Sequence, residues 1–107
     1  MKKFALVTGA SSGIGLQICH SLAKRGFNII LTSRSENTLK AVSEKISYNY
    51  EVETTYFPCD LADRQGPQNI FNFCESKKYQ VDILINNAGY ALPNSFEENS
   101  VEDEEKC

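Results

Sequence analysis

The 107-residue sequence lacks tryptophan, has a single histidine and a single methionine, and contains no long hydrophobic run. Its four cysteines are scattered without a Cys-x-x-Cys pair. With one histidine, this spacing predicts neither a metal site nor a disulfide framework, and it fits reduced thiols in the cytoplasm. The apolar runs are too short for a secretory signal or a membrane span. We therefore expect a cytoplasmic protein that makes no contact with a membrane.

A dominant charge of one sign is also missing from most of the chain. Residues 1–96 carry ten basic and eight acidic side chains, a net charge of +2, whereas residues 97–107 carry one lysine and six acids, a net charge of −5. The nearly neutral body offers no basic surface, so we expect no nucleic-acid partner. The acidic end is typical of a solvated, partly disordered tail.

Short apolar runs alternate with segments of helical periodicity along the chain. Apolar residues predict strands at residues 4–8, 29–31 and 81–85, and a mixture of β-branched and aromatic residues predicts one at residues 53–57. This βαβαβαβ order predicts an α/β, Rossmann-like fold of three αβα layers around a parallel sheet. We expect one dinucleotide-binding domain over residues 1–90 and a polar, acidic tail over residues 91–107, which is either disordered or the truncated start of a further helix.

The predicted helices rest on apolar stripes at the 3.6-residue period. The first helix is predicted over residues 14–25, and Ser35 is a candidate N-cap of the second. Pro67 can occupy the first turn of the third helix. His20 is expected on the polar face of the first helix, and we assign it no role.

The most informative segment lies between the first strand and the first helix and reads Thr8-Gly9-Ala10-Ser11-Ser12-Gly13-Ile14-Gly15. A pyrophosphate-binding turn needs Gly9 for the tight turn, Gly13 for close approach of the diphosphate, and Gly15 for close packing of helix on sheet. The helix start offers free N–H groups and a positive dipole end. The predicted contacts are Gly9, Ser11, Ser12, Gly13, Ile14 and Gly15. The alternative is an ordinary βα turn of some other α/β protein.

The Gly-x-x-x-Gly-x-Gly spacing after Thr8 resembles the short-chain dehydrogenase/reductase family. Asn86-Asn87-Ala88-Gly89 is similar to that family's NNAG motif, and Asp60-Leu61 follows the third strand like its adenine-contacting acid. The resemblance covers residues 4–90 and implies the strand order 3-2-1-4. It also implies cofactor contacts from Asp60, Leu61, Asn87, Ala88 and Gly89.

Two of these residues have a structural alternative. Asp60 could cap the turn or helix that follows its strand. Asn87 could be an amide that only ties neighbouring strands together.

The end of the second predicted strand favours NADP, as NADPH, over NAD. An NAD-type site has a carboxylate there that accepts hydrogen bonds from the ribose, but this sequence has Ser33 and Arg34. A guanidinium pairs bidentately with a 2′-phosphate, and a serine hydroxyl can donate a further hydrogen bond. The alternative is that Arg34 is an ordinary surface arginine.

The resemblance implies a catalytic tyrosine with a lysine four residues later and an upstream serine. The residues four positions after the five tyrosines are Val52, Thr54, Asp60, Ile83 and Asn94. Since none is lysine, we assign no catalytic residue.

We therefore expect a truncated, NADP-binding N-terminal half of an oxidoreductase, inactive as this chain. The implied reaction is NADPH-dependent carbonyl reduction or alcohol oxidation. The alternatives are a non-catalytic nucleotide-binding or interaction module, and a non-functional truncated gene product. The fourth strand, residues 81–85, would form a flat, exposed apolar edge that favours self-association.

Overall fold

The computed structural model describes residues 3–11 and 13–87, which form a four-stranded parallel sheet and three helices. The elements are β1 (Lys3–Thr8), α1 (Gly13–Lys24), β2 (Asn28–Ser33), α2 (Glu36–Tyr50), β3 (Thr54–Pro58), α3 (Gly66–Lys77) and β4 (Gln80–Ile85). The strand order is β3-β2-β1-β4 with every pair parallel, which confirms the predicted fold class and order. Within the described residues, no helix has the length and apolar character that crossing a membrane requires.

The continuous apolar runs form this sheet because its strands bury both faces. In β1, Ala5 and Val7 belong to the core cluster that contains the buried residues of α1 and α2. Phe4 and Leu6 belong to a second cluster, which contains the buried residues of α3. Helices therefore cover both faces, and each fully buried Leu or Ile contributes about 1.5–3 kcal/mol.

The element ends differ slightly from the predicted ones. Ser35 occupies the N-cap position of α2, but its side chain makes no capping bond and its Oγ donates to Thr38 Oγ1 at 2.9 Å. Pro67 lies in the first turn of α3, as predicted. Pro58 was expected beyond β3 but is its last residue, opposite Ser33. Proline is tolerated there because β3 lies at an edge of the described sheet.

His20 has a contact that the sequence did not predict. It is half-buried in α1, and its Nδ1 lies 3.0 Å from the hydroxyl oxygen of Tyr50, the last residue of α2. The two rings meet edge to face with centroids 5.7 Å apart. His20 therefore joins α1 to α2.

The β4 strand, at the other edge of the described sheet, is not flat. Its pairing with β1 shifts register between Val81 and Ile83, so Asp82 is an extra residue that forms a β-bulge. Asp82 Oδ1 accepts a hydrogen bond from Gln80 Nε2 at 2.9 Å. Its Oδ2 is buried without a hydrogen-bond partner. The expectation of a flat apolar edge is therefore wrong, because a bulge and a carboxylate interrupt it.

Candidate nucleotide-binding site

The turn between β1 and α1 has the geometry that its glycines require. Gly9 and Gly13 have φ values of 62°, in the left-handed region that glycine adopts at little cost. Gly15 is buried, and a Cβ at this position would collide with the carbonyl oxygen of Gly9 and lie 2.8 Å from Asn87 Nδ2. Helix α1 therefore begins against the carboxyl end of β1, and the first N–H groups of a helix have no partner within the helix.

Side chains join the carboxyl ends of β1 and β4. Thr8 Oγ1 lies 3.4 Å from the carbonyl oxygen of Ile85 and 3.2 Å from Asn86 Oδ1. Asn87 Nδ2 donates to the carbonyl oxygen of Gly9 at 3.3 Å. This hydrogen bond ties the end of β4 to the turn after β1, and the contact of Asn87 with a cofactor stays a prediction.

A cleft of about 410 Å³ opens at the carboxyl edge of the sheet. One wall follows β2, the second follows β3, and the glycine turn supplies the rest of the lining. The lining residues are Gly9, Ser11, Thr32, Ser33, Arg34, Ser35, Cys59, Asp60, Leu61 and Ala62. The fold thus brings together residues that lie far apart in the sequence.

The β2 wall, residues 32–35, contains a cation and hydroxyl groups but no carboxylate. Arg34 is exposed and Ser33 is half-buried. Ser33 Oγ accepts a hydrogen bond from the backbone N–H of Ser35 at 3.4 Å, which leaves the Ser33 hydroxyl hydrogen available to a ligand. Glu36, the next acid in the sequence, does not line the cleft. This wall is suited to an anion.

The β3 wall, residues 59–62, is held by local hydrogen bonds. Asp60 Oδ1 accepts from the backbone N–H of Ala62 at 2.9 Å, so the turn-capping alternative for Asp60 is observed. The Cys59 thiol donates to the carbonyl oxygen of Gly66 at 3.1 Å. Burial and the neighbouring Asp60 and Asp63 carboxylates raise the pKa of the Cys59 thiol, which favours its neutral form.

The predicted site residues fall into three groups. Those in the cleft are Gly9, Ser11, Ser33, Arg34, Asp60 and Leu61. Those beside it are Gly15 and Asn87, which pack against Gly9, and Gly13 and Ile14, which are exposed at the start of α1. Those outside the described residues are Ser12, Ala88 and Gly89.

The sequence did not predict four of the lining residues, which are Thr32, Ser35, Cys59 and Ala62. Each is adjacent in the sequence to a residue that was predicted, so extending the predicted set by one position on either side would have included all four. Among the residues described, no cluster of His, Cys, Asp and Glu side chains could hold a metal ion.

The parallel sheet with helices on both faces defines a Rossmann-like α/β domain. The chain matches the model of the short chain dehydrogenase family over residues 3–107 and belongs to that family.

Curated relatives extend well beyond the length of this chain. It is 42% identical over 97 residues to hydroxysteroid dehydrogenase-like protein 1 of Gallus gallus. This match covers 88% of this chain and 29% of the relative. It is 36% identical over 100 residues to an uncharacterized oxidoreductase of Staphylococcus saprophyticus. This match covers 94% of this chain and 43% of the oxidoreductase. The chain therefore spans less than half the length of either relative.

Solved structures show the same fold. L-sorbose reductase from Gluconobacter frateurii, solved with NADPH and L-sorbose, superposes with a TM-score of 0.77 at 34% identity, over 82% of this chain and 34% of the reductase. A short-chain dehydrogenase from Sphingobium yanoikuyae, solved with NADPH, gives a TM-score of 0.73 at 30% identity. The superposition covers 85% of this chain and 35% of the dehydrogenase.

Proposed function

We propose that this chain is the NADP-binding part of an oxidoreductase that transfers hydride between NADPH and a carbonyl compound or alcohol. The observation that carries this proposal is the cleft wall after β2, which presents Ser33 and Arg34 and no carboxylate. Both solved relatives described above were solved in complex with NADPH, which supports the same cofactor here.

The cleft and the turn would each hold a different part of the nucleotide. Arg34 pairs with the 2′-phosphate and Ser33 donates its free hydroxyl hydrogen to it. The adenine ring lies against Asp60 and Leu61 in the opposite wall. The diphosphate lies at the start of α1, where unpaired backbone N–H groups and the helix dipole favour an anion.

The remaining contacts follow from the turn and from the end of β4. The residues proposed to hold the diphosphate are Gly9, Ser11, Ser12, Gly13, Ile14 and Gly15. Asn87, Ala88 and Gly89 are proposed to contact the cofactor beyond the diphosphate. When bound, NADPH supplies the hydride, and the described residues bind and orient its adenosine end.

Cofactor preference tests this proposal directly. One charge-assisted pair with a 2′-phosphate is worth about 1.5–3 kcal/mol, so NADPH should bind on the order of tenfold to a hundredfold more tightly than NADH. The measurement is a titration of both nucleotides against the wild type and Arg34→Ala. The variant should lose most of the preference, because only NADPH has the phosphate.

Arg25→Ala is the matched control for this titration. Arg25 is an exposed arginine that follows α1 and does not line the cleft. This variant should keep the wild-type preference while carrying the same change of charge. Equal affinities of the wild type for the two nucleotides would contradict the proposal.

The outer edge of β4 is proposed to pair with a second copy of the chain. Among the described residues, only β1 pairs with this strand. The Asp82 carboxylate works against such pairing, since charges at an edge oppose it. We therefore expect weak association that Asp82→Ser strengthens, with Asp63→Ser as the control. Sedimentation over a concentration series measures it, and a single 12.0 kDa species at every concentration would contradict it.

The cytoplasm is the proposed compartment of the protein. Cys19, Cys59 and Cys74 are free thiols in the structure. Thiols stay reduced in the cytoplasm and tend to form disulfides in secreted proteins.

A further inference from the structure

A side-chain hydrogen bond joins the two walls of the cleft at their base. Thr32 Oγ1 donates to the carbonyl oxygen of Phe57 at 2.6 Å. Thr32 is completely buried and is the register partner of Phe57 in the β2–β3 pair. One residue further along β2, the carbonyl oxygen of Ser33 accepts a hydrogen bond at 2.8 Å from the backbone N–H of Cys59, which follows β3. The two walls are therefore joined as far as Ser33 and Cys59.

Thr32 also holds the glycine turn. Its carbonyl oxygen accepts a hydrogen bond from the backbone N–H of Ala10 at 3.2 Å. One residue thus contacts the turn through its carbonyl group and the β3 wall through its hydroxyl group. The next two residues, Ser33 and Arg34, form the anion-binding part of the β2 wall. Thr32 therefore links the β2 wall to both the turn and the β3 wall.

We propose that Thr32 is a positioning residue that sets the width of this cleft and thereby the preference for a nucleotide with a 2′-phosphate. The inference rests on the proposed function. A nucleotide that contacts Arg34 in one wall and Asp60 in the other needs both walls at a fixed separation. A nucleotide without the 2′-phosphate lacks the contact with Arg34, so it depends less on that separation.

The length of the Thr32–Phe57 hydrogen bond indicates how far a substitution would move the walls. Valine has the shape of threonine but places a methyl group where the hydroxyl was. A carbon in contact with a carbonyl oxygen lies about 3.3–3.6 Å away, whereas the hydroxyl oxygen lies at 2.6 Å. Thr32→Val should therefore push Phe57 away by up to roughly 1 Å, because Thr32 is buried with little space to rotate.

Three variants test this inference by titration with NADPH and NADH. Thr32→Val should raise the Kd for NADPH on the order of threefold to tenfold, because the shifted wall weakens the contacts of the nucleotide by about one hydrogen bond, and it should change the Kd for NADH less. Thr32→Ser keeps the hydroxyl and should restore the wild-type ratio. Thr54→Val is the matched control, because Thr54 Oγ1 donates to the carbonyl oxygen of Ser43 at 3.0 Å at the other end of the same strand pair.

A structural defect alone would lower the stability of both valine variants and leave the ratio of the two Kd values unchanged. A wild-type ratio in Thr32→Val, or an equal loss of preference in Thr54→Val, would therefore overturn the inference. Circular dichroism establishes that each variant is folded. If Thr32→Val does not fold, the Thr32→Ser variant decides, since a threefold or larger loss of preference there would overturn the role of the hydroxyl.

A second measurement separates failure of this inference from failure of the proposed function. Cys59 belongs to the β3 wall and is half-buried, so its rate of alkylation reports the position of that wall without a nucleotide. We expect a rate at least threefold higher in Thr32→Val than in Thr54→Val, measured by peptide mass spectrometry. If the wild type does not prefer NADPH, the proposed function and the link to the 2′-phosphate are overturned. If Cys59 is alkylated at equal rates in the two valine variants, the inference that Thr32 sets the width of the cleft is overturned.

Discussion

Substituting alanine for Gly15 tests the packing of α1 on the sheet beneath the proposed diphosphate site. In an unobstructed helix interior, alanine is more stable than glycine by about 1 kcal/mol. At Gly15, however, the added Cβ would collide with the carbonyl oxygen of Gly9 and lie 2.8 Å from both its carbonyl carbon and Asn87 Nδ2. Backbone atoms cannot rotate away, so α1 must shift or the turn must open.

The expected magnitude follows from these contacts. Overpacking costs about 1–3 kcal/mol. Displacing the Asn87 amide also weakens its hydrogen bond to the Gly9 carbonyl, worth about 1 kcal/mol. After the helix-propensity gain of about 1 kcal/mol, Gly15→Ala should lower the free energy of unfolding by about 1–3 kcal/mol. Urea denaturation of the two proteins measures this difference.

Two further variants separate collision from other effects. A Cβ at Gly13 would meet no atom within 4 Å, but its φ of +62° strains any other residue, so Gly13→Ala should cost about 1–2 kcal/mol from strain alone. In an Asn87→Ala background, the cost of Gly15→Ala should fall because one of the colliding groups is gone. A Gly15→Ala protein as stable as the wild type would refute the reasoning.

Two other predictions concern the thiols and the chemistry. Burial raises the pKa of Cys19 and of Cys74 from 9.0 to about 12. As the pH rises, the unfolded chain therefore loses these two protons at a lower pH than the folded chain does. The free energy of unfolding should therefore fall between pH 9 and about 12, by about 1.4 kcal/mol per pH unit for each thiol. Urea titrations at several pH values measure this decline, and an equal decline in Cys19→Ala would contradict it. The 107-residue chain should also show no hydride transfer, since no tyrosine has a lysine four residues later and binding alone does not stabilise a transition state. A steady rate of NADPH oxidation that Gly13→Val abolishes would contradict the prediction of no hydride transfer.

The fold could be predicted because short apolar, β-branched or aromatic segments alternate with segments of helical periodicity. The pattern identifies elements but not where two distant segments meet. The bulge at Asp82 arises from the register between β1 and β4, and the His20–Tyr50 contact joins residues 30 positions apart. Neither is visible in local periodicity. Pro58 lies one residue beyond the predicted range of 53–57, yet an edge position accommodates it as the last residue of β3.

The candidate site was predicted where a motif marks it and missed where only geometry does. Ser33 ends β2 and Asp60 follows β3, both at motif positions, and both line the cleft. Thr32 and Cys59 each precede one of these residues, and no motif marks them. Their contribution depends on β2 and β3 being neighbours in the sheet, which a sequence pattern predicts only through the strand order.

The strand order also separates the two proposed surfaces of the molecule. The cleft uses the carboxyl ends of β2 and β3 with the turn after β1, whereas self-association would use the outer edge of β4. Neighbouring strands lie about 4.8 Å apart and β1 lies between β4 and β2, so the outer edge of β4 is roughly 10 Å or more from the end of β2, which carries Arg34. Substitutions at such separations usually act independently. Arg34→Ala should therefore weaken NADPH binding equally with or without Asp82→Ser, as parallel titrations would measure. A change of more than about threefold in the effect of Arg34→Ala would mean that association at β4 reaches the cleft.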